Sequence, residues 1–150
     1  MTSDGQRRLL EQSLGELAAA RRHLDFSAER IRTLPADLKG IAEADLETAE
    51  AFTSRFARTV DLLVNRVLRT LDRVELKAPG TILDVVHGAE QRGFVASAAI
   101  LRELKDVRNE VAHDYAGTRL PELFAFCRAR KPELDAICDR VGAYVSRLPL

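Results

Sequence analysis

Apolar residues recur at helical spacing from one end of this chain to the other, and that property leaves few folds open. No stretch alternates Val, Ile or Thr with polar residues between hairpin turns, so a sheet has no sequence to build it. Leu9, Leu10, Leu14, Leu17, Leu24 and Ile31 form a first stripe behind Ser3-Asp4-Gly5-Gln6, which has capping-box spacing, and Leu34-Pro35 stops it. A second long helix is predicted from Asp37 or Glu43 to Val74, ended by Ala78-Pro79-Gly80. Thr81 caps a short third helix through Glu90, closed by Gly93, and Ser97 opens a fourth that runs to Gly117. After Leu120-Pro121 a fifth segment reaches Leu148, with Pro132 marking a candidate break. Short connections between such helices predict an all-α fold, an antiparallel bundle of four to five helices, and 150 residues make one domain spanning 1–150.

Composition removes several function classes. Lys plus Arg and Asp plus Glu both number 23, so the chain is not a generally basic nucleic-acid coat, although a local patch is compatible with that balance. Aromatic residues are 5% with no Trp, which argues against an extended platform for stacking single-stranded bases. Cys127 and Cys138 fit no zinc or redox spacing and read as free thiols of a reducing compartment. No His/Cys cluster suggests a metal, and His23 and His87 read as structural. No charged start followed by an apolar run marks a signal peptide, and no uncharged stretch is long enough to span a bilayer. The expectation is a soluble cytoplasmic domain without a membrane partner.

Charge is uneven along the second helix. Glu43, Asp45, Glu47 and Glu50 lead it, and Arg55, Arg58, Arg66, Arg69 and Arg73 follow. On an ideal helix these five arginines fall within about 80° of one another, opposite Phe56, Val60, Leu63, Val67 and Leu71. Such a ridge is either a solvated face or a surface that meets RNA phosphates or an acidic partner.

The stretch richest in chemistry is Leu104 to Tyr115. Leu101, Leu104, Val107, Val111, Ala112 and Tyr115 share an arc of about 140° on an ideal helix. Arg108 falls inside that arc, where a guanidinium must be paired or must border a cleft or subunit interface. His113 points about 140° away from Arg108, with Asn109 one turn and Asp106 two turns before it. Asn109 is placed to orient the imidazole, Asp106 could raise its pKa, and an imidazole is a ready proton carrier near neutral pH. Tyr115 reads most simply as a packed ring with its hydroxyl at the edge.

Arg108-Asn109, three residues, His113 and Tyr115 together read R-N-x3-H-x-Y. This resembles the signature of the HEPN superfamily, and especially HepT-like toxins, in which R-x4-H-x-Y lies toward the end of the penultimate helix of an all-α bundle. The resemblance covers roughly residues 40 to 148. It implies a two-fold homodimer that works as a metal-independent endoribonuclease without cofactors, with the motifs of two protomers facing one cleft. A two-fold axis would bring one protomer's Arg108 near the partner's His113, which one helix cannot do alone. Arg108 and His113 would then be catalytic, with Asn109 and Asp106 supporting. By the same resemblance, Tyr115 matches the tyrosine that a partner nucleotidyltransferase antitoxin modifies with AMP, in a type VII-like toxin–antitoxin pair. Asp114 departs from the pattern, putting a carboxylate where some relatives carry a neutral or small residue.

Two other readings stand beside the toxin. One is a non-catalytic, substrate-binding accessory subunit of a minimal nucleotidyltransferase, which the superfamily also implies. The other is a purely structural helical dimer in which Arg108 is a buried ion pair.

Overall fold

A computed structural model describes residues 3–149, and Met1, Thr2 and Leu150 lie outside it. Six α-helices follow one another as α1 (Ser3–Arg30), α2 (Glu43–Asp61), α3 (Arg69–Val74), α4 (Ile82–Gln91), α5 (Ala98–His113) and α6 (Leu120–Ser146). A π-helical segment, Leu62–Leu68, joins α2 to α3, so residues 43–74 form one central rod. No strand occurs among the described residues.

The long helices run up, down, up and down. Arg55 of the rod reaches the His23 carbonyl and Ser27 of α1, and Arg66 reaches Glu16, so α1 runs against the rod. Asp61 faces both Lys105 and Arg108, which sets α5 against the rod on its other side. Phe124 stands edge-on to Phe52 at 5.8 Å while Tyr144 bonds Glu75, so α6 runs with the rod and against α1. Arg21 with Asp139, and Lys131 with Asp25, close the α1–α6 seam. The core is the interior of this bundle, with Leu10, Leu24, Phe52, Phe56, Val60, Leu63, Leu71, Leu104 and Phe124 fully buried or nearly so.

Local chemistry explains both ends of α4 and the start of α5. Thr81 Oγ1 accepts from the Asp84 amide while Asp84 accepts from the Thr81 amide, a complete capping box. Ser97 accepts from the Ala99 amide to open α5, and Gly93 supplies the φ of 81° that turns the chain out of α4. At the end of α4, Arg92 pairs with Asp72 and Glu75 at 2.8 Å each, with its side chain only 5% exposed. This locks the short helix to the far end of the rod.

Outside α5, three features differ from the periodicity. The first helix ends at Arg30, and residues 31–34 continue as turns that still bury Ile31 and Leu34. The last helix passes Pro132 unbroken, because its neighbours on either side remain anchored to α1 and the core. The second helix changes to i→i+5 bonding over Leu62–Leu68. That wider turn lets Leu63, Val64, Val67 and Leu68 all be fully buried, as a rod packed on several sides demands.

Candidate functional site

The C-terminal half of α5 lies along α2. Arg108, 32% exposed, forms an ion pair with Asp61, Nε standing 3.2 Å from Oδ1, and donates through Nη1 to Asn109 Oδ1 at 3.1 Å. Asp61, 37% exposed, also accepts from Asn65 at 2.7 Å and has Lys105 at 3.6 Å. Both conditions for a guanidinium on the apolar side are therefore met, since it is paired and it borders a cleft. Nη2 makes no hydrogen bond among the described residues, so its donors remain available to a ligand.

That cleft is a hollow of about 340 Å³ lined by Ser54, Ala57, Arg58, Asp61, Arg108, Val111 and Ala112. A second hollow of about 380 Å³ adjoins it, because Ser54 and Val111 line both. Tyr115, Asp114 and Glu50 line the second. Together they make one open trough between α2 and the end of α5.

The motif's other members sit differently from the helical expectation. The helix opened by Ser97, α5, stops at His113 rather than Gly117, since Asp114 leaves helical geometry at φ −85°, ψ 64°. Tyr115 is therefore off the apolar stripe and 89% exposed, not a packed ring, and the seven-residue spacing from Arg108 no longer places the two on one helix face. Ala112 is exposed too, which narrows the stripe. His113 is exposed, with its Nδ1 3.5 Å from the Tyr115 hydroxyl. Asn109 serves Arg108 rather than the imidazole, and Asp106 is exposed and bonds neither. Asp114 accepts from the Arg119 amide at 3.2 Å, so its carboxylate tethers the start of α6.

The arginine ridge is dispersed. Arg55 and Arg66 turn to α1, and Arg69 donates to the Gly80 carbonyl at 2.9 Å. The π segment lies between Arg58 and Arg69 and breaks the common phase on which a single ridge depends. Arg58 and Arg73 stay exposed without an ion pair among the described residues, and of the five only Arg58 lines the trough.

Asp61, Asn65, Lys105, Ser54 and Glu50 escaped the linear reading. Asp61 and Asn65 carry the one available signal, an i,i+4 acceptor–donor pair on a helix. His23 and His87 are exposed, and Cys127 and Cys138 are free and buried. Burial pushes both thiols up to about 12. No group of three or more potential metal-binding side chains occurs among the described residues, and none of their helices is long and apolar enough to cross a membrane.

No model of a known protein family matches the chain, and no curated protein matches it.

Proposed function

We propose that this chain is a HepT-like toxin of a type VII-like toxin–antitoxin pair, a cytoplasmic endoribonuclease that acts as a homodimer. The observation that carries the reading is the setting of Arg108. The Asp61 carboxylate pairs with its Nε side and Asn109 accepts from Nη1 at the wall of an open trough, in the same motif as an exposed His113. A guanidinium oriented in advance, with the Nη2 donors available, suits a phosphate that gains charge during reaction.

In this scheme His113 takes the proton from an RNA 2′-hydroxyl, and that oxygen attacks the adjacent phosphorus. The 5′-oxygen leaves and takes up a proton, giving a 2′,3′-cyclic phosphate and a 5′-hydroxyl end. Arg108 of the opposite protomer stabilises the charged transition state. The sequence of steps draws only on side chains, with no cofactor. Tyr115, exposed beside the trough, is the residue on which a nucleotidyltransferase antitoxin would place AMP. The added phosphate would compete with RNA for nearby cations.

Digestion of RNA in EDTA tests the assignment. Cleavage by the wild-type chain is expected, with at least a hundredfold loss in Arg108→Ala and in His113→Ala, on the order of one removed transition-state or acid–base contribution. Unimpaired cleavage by both folded variants would remove the site.

One observation favours the non-catalytic accessory subunit instead. Asp61 already neutralises part of the Arg108 charge within the same protomer. Under that reading the wild-type chain binds nucleotide or RNA, and the EDTA digestion shows no products.

A further inference from the structure

The trough between α2 and α5 has opposite electrostatic character at its two ends. At the Arg108 end, Arg58 and Arg108 line the hollow with Asp61, whose single carboxylate pairs with Arg108 and Lys105. Arg58 is exposed and has no ion pair among the described residues. At the Tyr115 end no Lys or Arg lines the hollow, and Glu50 and Asp114 do. Asp114 is engaged by the Arg119 amide, whereas Glu50 is exposed and without a hydrogen-bond or ion-pair partner among the described residues. Val111 and Ser54 line both hollows where they adjoin.

A nucleotide carries the complementary polarity. Its phosphate is an anion, and some bases present N–H donors at the opposite extremity. Guanine offers an N1–H beside an N2 amine, two parallel donors that one carboxylate accepts together. Uracil offers a single N–H flanked by carbonyl oxygens, which a carboxylate repels. One exposed tyrosine is no platform for a strand, but it suffices to cover one base.

We infer that this trough is a subsite for one guanine nucleotide, with its phosphate against Arg58 and Arg108, its Watson–Crick edge on Glu50 and its ring against Tyr115. This deepens the ribonuclease reading, on which the assignment of the nucleotide to an RNA strand rests. The occupant is either a free guanine nucleotide or a guanosine within RNA, and the two share this chemistry.

Calorimetric titration of the full chain at low salt with GMP, UMP and inorganic phosphate tests it. GMP is expected to bind about tenfold more tightly than UMP, the scale of one bidentate base contact. Glu50→Gln should abolish that preference, weakening GMP while UMP binding, freed of the repulsion, holds or rises. Arg58→Ala should weaken GMP, UMP and phosphate together. Both side chains are exposed, so circular dichroism should show both variants folded. Equal binding of GMP and UMP by the wild type, or a preference that survives Glu50→Gln, overturns the subsite.

Displacement of GMP by a 2′-O-methyl oligonucleotide containing one guanosine assigns the subsite to RNA. Failure of that oligonucleotide to compete, with GMP preference intact, assigns it to free nucleotide. Metal-free cleavage without GMP preference sinks the subsite and spares the ribonuclease. GMP preference without any cleavage does the reverse.

Discussion

Arg108 shows how much one residue's meaning depends on its neighbours. Its place on an apolar arc was legible from spacing alone, and so was the need for a partner or a cleft. Asp61 was not, because 47 positions separate it from Arg108 and only the antiparallel packing of α5 on the rod brings them to 3.2 Å. Tyr115 failed for a local reason: periodicity assumes the helix continues, and the chain leaves it one residue after His113. Cys127 and Cys138 are free, buried thiols, and their surroundings have a measurable consequence. Burial raises both pKa values from 9.0 to about 12, so the folded state keeps protons that the unfolded state releases above pH 9. The thiol contribution to stability is therefore complete below pH 9 and is lost as pH rises from 9 toward 12. Thermal melts across that range should fall, and Cys127→Ala should flatten the slope. Iodoacetamide at pH 8.5 should label neither thiol in the native chain and both in denaturant.

At the scale of elements, the helix starts at Thr81 and Ser97 follow from side chains that bond the backbone nearby. The π segment does not, since its wider turn answers the packing around Leu62–Leu68 rather than any local propensity. Its cost to the linear reading was the arginine ridge, whose common phase assumed an unbroken α-helix. The unbroken α6 likewise reflects tertiary anchoring that overrides a proline. Pro132 cannot donate to the carbonyl one turn earlier, and its side chain is exposed. Replacing it should remove a helix penalty of about 3 kcal/mol, offset by about 1 kcal/mol of regained unfolded-chain entropy. Pro132→Ala is expected to stabilise the chain by roughly 2 kcal/mol in urea unfolding with an unchanged m-value. A loss of stability would show that the proline matches a bend the bundle requires.

For the whole molecule, the proposed homodimer makes a prediction that no single chain can meet. If each site joins Arg108 of one protomer to His113 of the other, then Arg108→Ala and His113→Ala are inactive alone but complement when mixed. A mixed dimer holds one site with both groups and one with neither. Random reassociation should restore about a quarter of wild-type sites. Recovery to that level in the EDTA assay supports a shared site, and none after verified subunit exchange sets both groups in one protomer or removes them from catalysis.

The antiparallel seam of α1 and α6 has a practical outcome. Tyr144 bonds Glu75 and Glu16 meets Arg66, so both extremities of the described chain gather near the Glu75 pole, while Tyr115 and Glu50 occupy the other. An affinity handle or fluorophore joined beyond Ser3 or Pro149 starts at the pole opposite Tyr115 and Glu50, about half the rod's length from the Arg108 end of the trough. Labelled protein should therefore bind and react as the untagged chain does, and immobilisation by either end presents the same face to a ligand in flow.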